Sequence, residues 1–286
     1  MSMIIQAVLS GIIMGCVYSL IATGLALIWG VVEIVNFAHG SFLMLSMYIA
    51  YFMCTLFGID PILSMPICAL ILLIWGSATY KIIITRLLKG ELLMQIFGTF
   101  GLMIAMSYGA MALWSPNYRV LENTWFSSSV EIGGYYFGEG QIVAAIVSLI
   151  VLGIVTIFLL NTKTGKALRA SADDKIAAVT VGINSEKMYT YAWGIGSACV
   201  GVAGALMTNF FYIHPQVGTV FTFFAFICVA LAGFGRIKGI LVAGLIVGVT
   251  RSLSGFLIAP WTKDVVIFVL FIIILFLRPQ GLFMGK

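Results

Sequence analysis

Glu33, Asn36 and His39 stand within seven residues of one another, in a stretch from Gly30 to Gly40 whose neighbours on both sides are apolar. A carboxylate, an amide and an imidazole set so closely could hold a metal, move a proton or line a polar passage. Ligand counting speaks against the metal: His39 and His214 are the only histidines, they lie far apart, and neither has Cys or carboxylate company at ligand spacing. Cys16, Cys54, Cys68, Cys199 and Cys228 share no C-x-x-C and read as small hydrophobes. Gly165-Lys166 has Leu160 where the first glycine of a phosphate-cradling G-x-x-x-x-G-K-[ST] should stand, so no P-loop is expected there. With no carboxylate cluster and no activated nucleophile the chain does not read as an enzyme, and no cofactor is expected. The polar passage survives. Asn36 and His39, three apart, share a face if their backbone is helical. They either line the passage or satisfy carbonyls freed by a break in the helix.

Those residues need a scaffold, and its nature follows from composition. Of 286 residues, 15 are basic and 10 acidic, 62% are apolar, and the mean hydropathy is +1.15. A soluble domain carries about 25% charge, whereas 9% cannot cover a surface in water. The unit of organisation is therefore the membrane span of about 20 residues. Uncharged or nearly uncharged stretches at 3–31, 41–57, 62–80, 92–114, 141–161, 188–212, 219–235, 239–258 and 261–277 predict nine membrane segments, within an all-α integral membrane domain of eight to ten that covers 1–286. No basic n-region precedes the first segment, so it reads as a span rather than a signal peptide.

The charges sort by side if the segments alternate. Lys81, Arg86, Lys89, Lys163, Lys166, Arg169, Lys175, Lys187, Arg236, Lys238, Arg278 and Lys286 fall on one side, and only Arg119 and Lys263 on the other, with Glu122, Glu131 and Glu139. The positive-inside rule makes the first side cytoplasmic, with the N-terminus outside and the C-terminus inside. Two segments look irregular: 30–40, and 219–235, which is short and ends in Gly233-Phe234-Gly235. Broken segments in corresponding halves of a chain point to a transport pathway. Phe37, Phe221, Phe223, Phe224 and Phe226 are candidates to line it.

Arg251 is isolated about halfway along an apolar segment, where an unpaired cation costs roughly 3 kcal/mol. It either pairs with Glu33 across the two halves or snorkels along a water-filled cavity. Gly11 with Gly15 and Gly244 with Gly248 form two G-x-x-x-G pairs that permit close helix contact.

Two loops are long enough to meet partners. The cytoplasmic loop, 162–188, predicts two short helices, the first capped by Thr164, the second preceded by a capping box of Ser171 and Asp174 and closed by Gly182 as a left-handed residue. A helix so short needs a partner. Exposed Ile176, Ala177 and Val179 suggest that it docks into a groove. The outer loop, 115–140, predicts a hairpin with Val130-Glu131-Ile132 and Tyr135-Tyr136-Phe137 around Gly133-Gly134. Its aromatic residues and Trp125 suit either a docking surface or an interfacial belt.

Three separated stretches resemble one family. The run Gly24-Leu25-Ala26-Leu27-Ile28-Trp29-Gly30-Val31 followed by Asn36-Phe37-Ala38-His39-Gly40, the loop residues Gly165-Lys166-Ala167-Leu168-Arg169-Ala170, Asp173, Ala177-Ala178 and Gly182-Ile183-Asn184, and the tail Arg278-Pro279-Gln280-Gly281-Leu282-Phe283 are similar to the LivH-type permease subunit of branched-chain amino acid ABC importers. The resemblance implies a multi-pass protein of the bacterial inner membrane. It implies a homologous second permease subunit, two cytoplasmic ATP-binding subunits and a periplasmic binding protein as partners. On it, Asn36, Phe37, His39, Gly233 and Gly235 belong to the pathway or gate, and Gly165, Leu168, Arg169, Asp173, Ala177 and Gly182 couple to the ATPase. A related branch imports urea and tends to carry Met at the position of Phe37, so Phe37 leans toward amino acids. The sequence departs from the family at Ala232-Gly233-Phe234-Gly235-Arg236, where Gly-Gly-x-Gly-Ser is common. It departs again at Glu33 and Arg251, whose charges look exchanged. An autonomous carrier is the competing class, but a carrier has no need of a docking helix in its cytoplasmic loop.

Overall fold

A computed structural model of the chain describes residues 2–122, 124–233, 239–278 and 281–282. Helix α1 (Ser2–Val32) is followed by α2 (His39–Phe57) and α3 (Pro61–Thr79), which passes through a π-helical turn at Tyr80–Ile84 into α4 (Thr85–Leu87). Then come α5 (Leu92–Trp114), the hairpin β1 (Ser129–Ile132) and β2 (Tyr135–Gly138), and α6 (Glu139–Asn161). The short α7 (Lys163–Asp173) and α8 (Lys175–Thr180) precede α9 (Ser185–Met207), α10 (Val217–Ala232), α11 (Ile240–Leu257) and α12 (Lys263–Leu277). Helices stand at all nine expected positions. Among the described residues, seven are long and apolar enough to cross a membrane alone, while α10 and α12, at 16 and 15 residues, fall short of the length a span requires.

Local chemistry sets the boundaries. Gly58, in the left-handed region at φ 67°, ends α2. Asp60 then caps α3 by accepting from the Ile62 amide, with Pro61 at the first helical position. In the loop after α6 the cap is Thr162, whose hydroxyl accepts from Gly165 N, rather than Thr164. Asp174 alone caps α8, accepting from Ile176 N and Ala177 N. The expected Ser171–Asp174 box does not form, because α7 runs on through Ser171 and buries it. Gly182 does close the loop in the left-handed region at φ 85°. The hairpin pairs Ile132 with Tyr135, and both turn glycines have positive φ, 61° and 82°, as a two-residue loop of matching twist demands.

Helix α1 is the hub, packed by α11, α9, α6 and α10. The contacts are made through backbone: Gly11 lies on Gly248, Gly15 on Gly244, and Gly24 on Gly196. The two G-x-x-x-G pairs thus face each other across one seam, where dispersion between close backbones holds helices that gain nothing from water exclusion. At the periphery α5 buries only Thr99, Ser107 and Ala110.

Alternation gives the bundle two ends. The hairpin end holds the start of α1, the 58–60 turn, residues 115–138 and the start of α12; the Gln6 amide ties it together by donating to the Tyr136 carbonyl. There Arg119 and Ile213 exchange backbone hydrogen bonds, and Asp60 accepts from Trp125 N. The loop end holds α7, α8 and, among the described cations, Lys81, Arg86, Lys89, Lys163, Lys166, Arg169, Lys175, Lys187 and Arg278.

Candidate functional site

The chain leaves α1 at Glu33, a non-glycine residue at φ 60°, and runs non-helically to a turn at Phe37 and Ala38. Asn36 therefore does not share a helix face with His39. Its Oδ1 accepts from Ala38 N at 3.1 Å, and its carbonyl accepts from His39 N at 3.3 Å, which builds the turn that starts α2. His39 is fully buried, with Nε2 placed 2.9 Å from the Ile21 carbonyl and donating to it. Ile21 precedes the end of α1 by 11 residues, about 17 Å of helix. Helix α2 therefore begins inside the bundle. His39 Nδ1 and Asn36 Nδ2 have no hydrogen-bond partner there, so this buried spot holds polar capacity that packing does not use.

A second helix begins against the first. Gly40 rests on the backbone of Gly218, near the start of α10, and a Cβ on either would overlap the other's main chain. Gly40 N donates to Thr222 Oγ1 at 2.9 Å, and that hydroxyl donates to the Gly218 carbonyl at 3.1 Å. From this crossing the helices diverge. Toward the hairpin end, Tyr48 and Phe52 of α2 meet Trp114, while toward the loop end Phe226 of α10 packs on Phe37 at 5.5 Å and Trp29 at 6.4 Å. Phe221 and Phe224 pack on Tyr18, and Phe223 on Phe268. Helix α10 ends at Gly233, φ 95°, with Gly281 against it. Gly235 lies outside the described residues.

The expected Glu33–Arg251 pair does not form. The left-handed exit from α1 delivers Glu33 to the loop end, where its carboxylate accepts from Lys175 Nζ of α8 at 2.6 Å. Arg251 lies toward the hairpin end of α11 and donates from Nε to Asp264 at 2.9 Å. The Glu33–Lys175 pair is largely solvated, with side-chain exposures of 62% and 34%, and such a pair contributes at most about 1 kcal/mol. A left-handed non-glycine backbone costs about as much. We therefore expect Glu33→Gly to leave thermal stability within about 0.5 kcal/mol of the parent, the lost pair offset by relieved strain. Glu33→Val, β-branched at positive φ, is expected to lose about 2 kcal/mol. Equal melting temperatures for the two variants would contradict that balance.

The loop residues divide by burial. Gly165 and Leu168 are buried, Gly165 against Phe158 and Leu159 of α6, and they fix α7 to the body rather than offering a surface. Arg169, Asp173, Ala177 and Gly182 are exposed. Beside them Ile176 and Val179 of α8 are 80% and 57% exposed, and Val181 just past its end 76%; the Glu33–Lys175 pair ties this helix to the break in α1.

The sequence reading missed Thr222, Gly218, Lys175, Asp264 and Tyr18. Only Asp264 left a signal, an acidic residue in the first turn of an apolar helix. Among the described residues no three His, Cys, Asp or Glu side chains gather where they could hold a metal ion.

The family described as the permease component of the branched-chain amino acid transport system matches residues 7–275. The high-affinity branched-chain amino acid transport system permease protein LivH of Salmonella typhimurium is 29% identical, covering 97% of this chain and 94% of its own. The probable branched-chain amino acid transport permease protein LivH of Methanocaldococcus jannaschii is 30% identical over 84% of this chain and 78% of its own. The same organism's probable LivM permease is 27% identical over 64% and 59%. No solved structure matches the chain significantly.

Proposed function

The chain belongs to the branched-chain amino acid transport permease family, and from that premise we propose that it is a translocation subunit of an ATP-driven importer of apolar amino acids. It is a multi-pass membrane protein, and its relatives are transport permeases rather than enzymes. Relatives named LivH and LivM speak for a system of two unlike permeases. In our reading the second permease packs beside this one in the bacterial inner membrane. Two ATP-hydrolysing subunits dock at the loop end, and a periplasmic binding protein delivers substrate at the hairpin end. The gathering of cations at the loop end supports placing it in the cytoplasm, with the N-terminus outside and the C-terminus inside. The relatives lend no support to urea as substrate or to an autonomous carrier.

One observation carries the coupling part of this reading. Helix α8 presents Ile176 and Val179 to solvent at the basic end, while Lys175 of the same helix grips Glu33 at the break in α1. A helix pushed by an ATPase would therefore move the segment that leads to Asn36 and His39. The double variant Ile176→Asp, Val179→Asp is expected to lose substrate-stimulated ATPase activity and uptake by at least tenfold in reconstituted complex. Exposed substitutions leave folding stability within about 0.5 kcal/mol. Undiminished uptake with the partner subunits still bound would remove α8 from the coupling.

A further inference from the structure

A cavity of about 500 Å³ opens at the hairpin end between the start of α10 and the start of α12, lined among others by Phe211, Tyr212, His214, Phe221, Arg251 and Asp264. Its volume is in the range of small-molecule pockets, and its walls combine aromatic rings with charges of both signs.

Arg251 has three partners among the described residues. Its Nε donates to Asp264 Oδ1 at 2.9 Å, its Nη1 donates to the hydroxyl of Tyr18 at 2.6 Å, and its guanidinium carbon lies 4.8 Å from the centre of the Phe224 ring. A guanidinium has five N–H donors, and these two bonds engage only two of them. Asp264 has a second carboxylate oxygen, and its side chain is 37% exposed. The first turn of α10, at Val217 and Thr219, forms part of the wall and has no side-chain cap; the two amides already donate to the His214 and Gln216 carbonyls, so what this turn offers a carboxylate is the positive end of the helix dipole. His214 Nδ1 accepts from Gln216 N, which puts the ring proton on Nε2 as a further donor. Burial pushes the imidazole below its ordinary value, so it stays neutral in this role.

These groups match the two ends and the side chain of one ligand class. We propose that this cavity is a way-station for a free α-amino acid in its zwitterionic form, Arg251 taking the carboxylate, Asp264 the ammonium, and Phe211, Tyr212 and Phe221 the apolar side chain. The proposal rests on the permease reading and adds a place where this chain itself touches substrate. Arg251 and Asp264 already neutralise each other's charge, so the ligand meets only the remaining guanidinium donors and the second carboxylate oxygen. The net gain is small. Affinity is accordingly weak, as passage requires, since a ligand held tightly here would not move on.

The test uses the assembled importer in nanodiscs without binding protein, with 5,5,5-trifluoroleucine as fluorine NMR probe. Binding broadens the probe signal. L-leucine reverses the broadening, while leucinamide, which lacks the carboxylate, and 4-methylpentanoate, which lacks the ammonium, do not. Arg251→Met and Asp264→Asn each weaken binding at least tenfold. Val220→Trp, at a half-exposed wall position that leaves the partners of Arg251 in place, does the same by filling the cavity, and covers the case in which the charge variants fail to fold. The site is overturned if the wild type shows no broadening, if Val220→Trp binds as the wild type does, or if leucinamide competes as well as leucine. Import of leucine into vesicles by the complete wild-type system separates the two readings. Import without binding here sinks the site alone, and absence of import sinks the permease reading itself.

Discussion

Gly40→Val is expected to abolish uptake, by more than 100-fold, in a chain that still reaches the membrane. At the crossing of α2 and α10 both partners are main chain: a Cβ on Gly40 meets the carbonyl of Gly218 and the Thr222 hydroxyl, and a Cβ on Gly218 meets Gly40 in turn. A side-chain clash can be relieved by a rotamer change, but here a helix must move. Overpacking in a closed core costs about 1–3 kcal/mol. Separating the crossing also breaks the Gly40 N to Thr222 bond and pulls His39 from the Ile21 carbonyl, leaving buried polar groups unmet at about 1–3 kcal/mol each. Gly40→Ala falls between, so the series Gly, Ala, Val yields graded uptake. The measurement is import of labelled leucine per folded complex, with folding read from the elution profile. Wild-type import by Gly40→Val would show that the crossing is not a fixed point of the pathway.

Gly248→Leu should act on stability instead, costing about 3 kcal/mol and depressing the yield of monodisperse protein. Its Cβ would meet the Gly11 carbonyl and, at 2.7 Å, Gly15. The α1–α11 seam consists of such approaches, with Ser19 also donating to the Leu241 carbonyl across it. An internal control exists in the same fold. Gly109 and Gly153 have nothing within 4 Å of an added Cβ, so Leu at either is tolerated and gains roughly 0.8 kcal/mol of helix propensity. A Gly248→Leu protein as stable as Gly109→Leu would mean that the seam does not hold the bundle together.

The helices were legible because charge is so scarce that each gap between charged clusters had to be a buried or lipid-facing segment. The hairpin and the end of α8 were legible because Gly133, Gly134 and Gly182 stand where positive φ is needed. Partner choice was not. Glu33 and Arg251 looked like each other's counter-charge because both interrupt apolar sequence, yet one left-handed residue sends Glu33 to the surface and leaves Arg251 to a carboxylate 13 residues on in the chain. Thr162 and Thr164 are equally good caps on paper, and which one serves is decided by where α6 ends. The G-x-x-x-G pairs announced themselves, but Gly40 and Gly218 are single glycines with no repeat around them. Their role exists only in the contact between two helices 178 residues apart, which no local pattern encodes.

The arrangement of α2 and α10, both starting inside the bundle and meeting at their first turns, has an electrical consequence. A helix start carries roughly half a positive elementary charge, so the crossing concentrates close to one unit in the interior, with no acidic side chain among the residues that build it. Sodium ions and protons meet a repulsive potential there, as they do at opposed half-helix ends in water pores. A zwitterion, neutral overall, can turn its carboxylate toward such a potential and meets no net repulsion. In the importer proposed above, a crossing closed by main chain and carrying this potential would insulate the membrane voltage against leak.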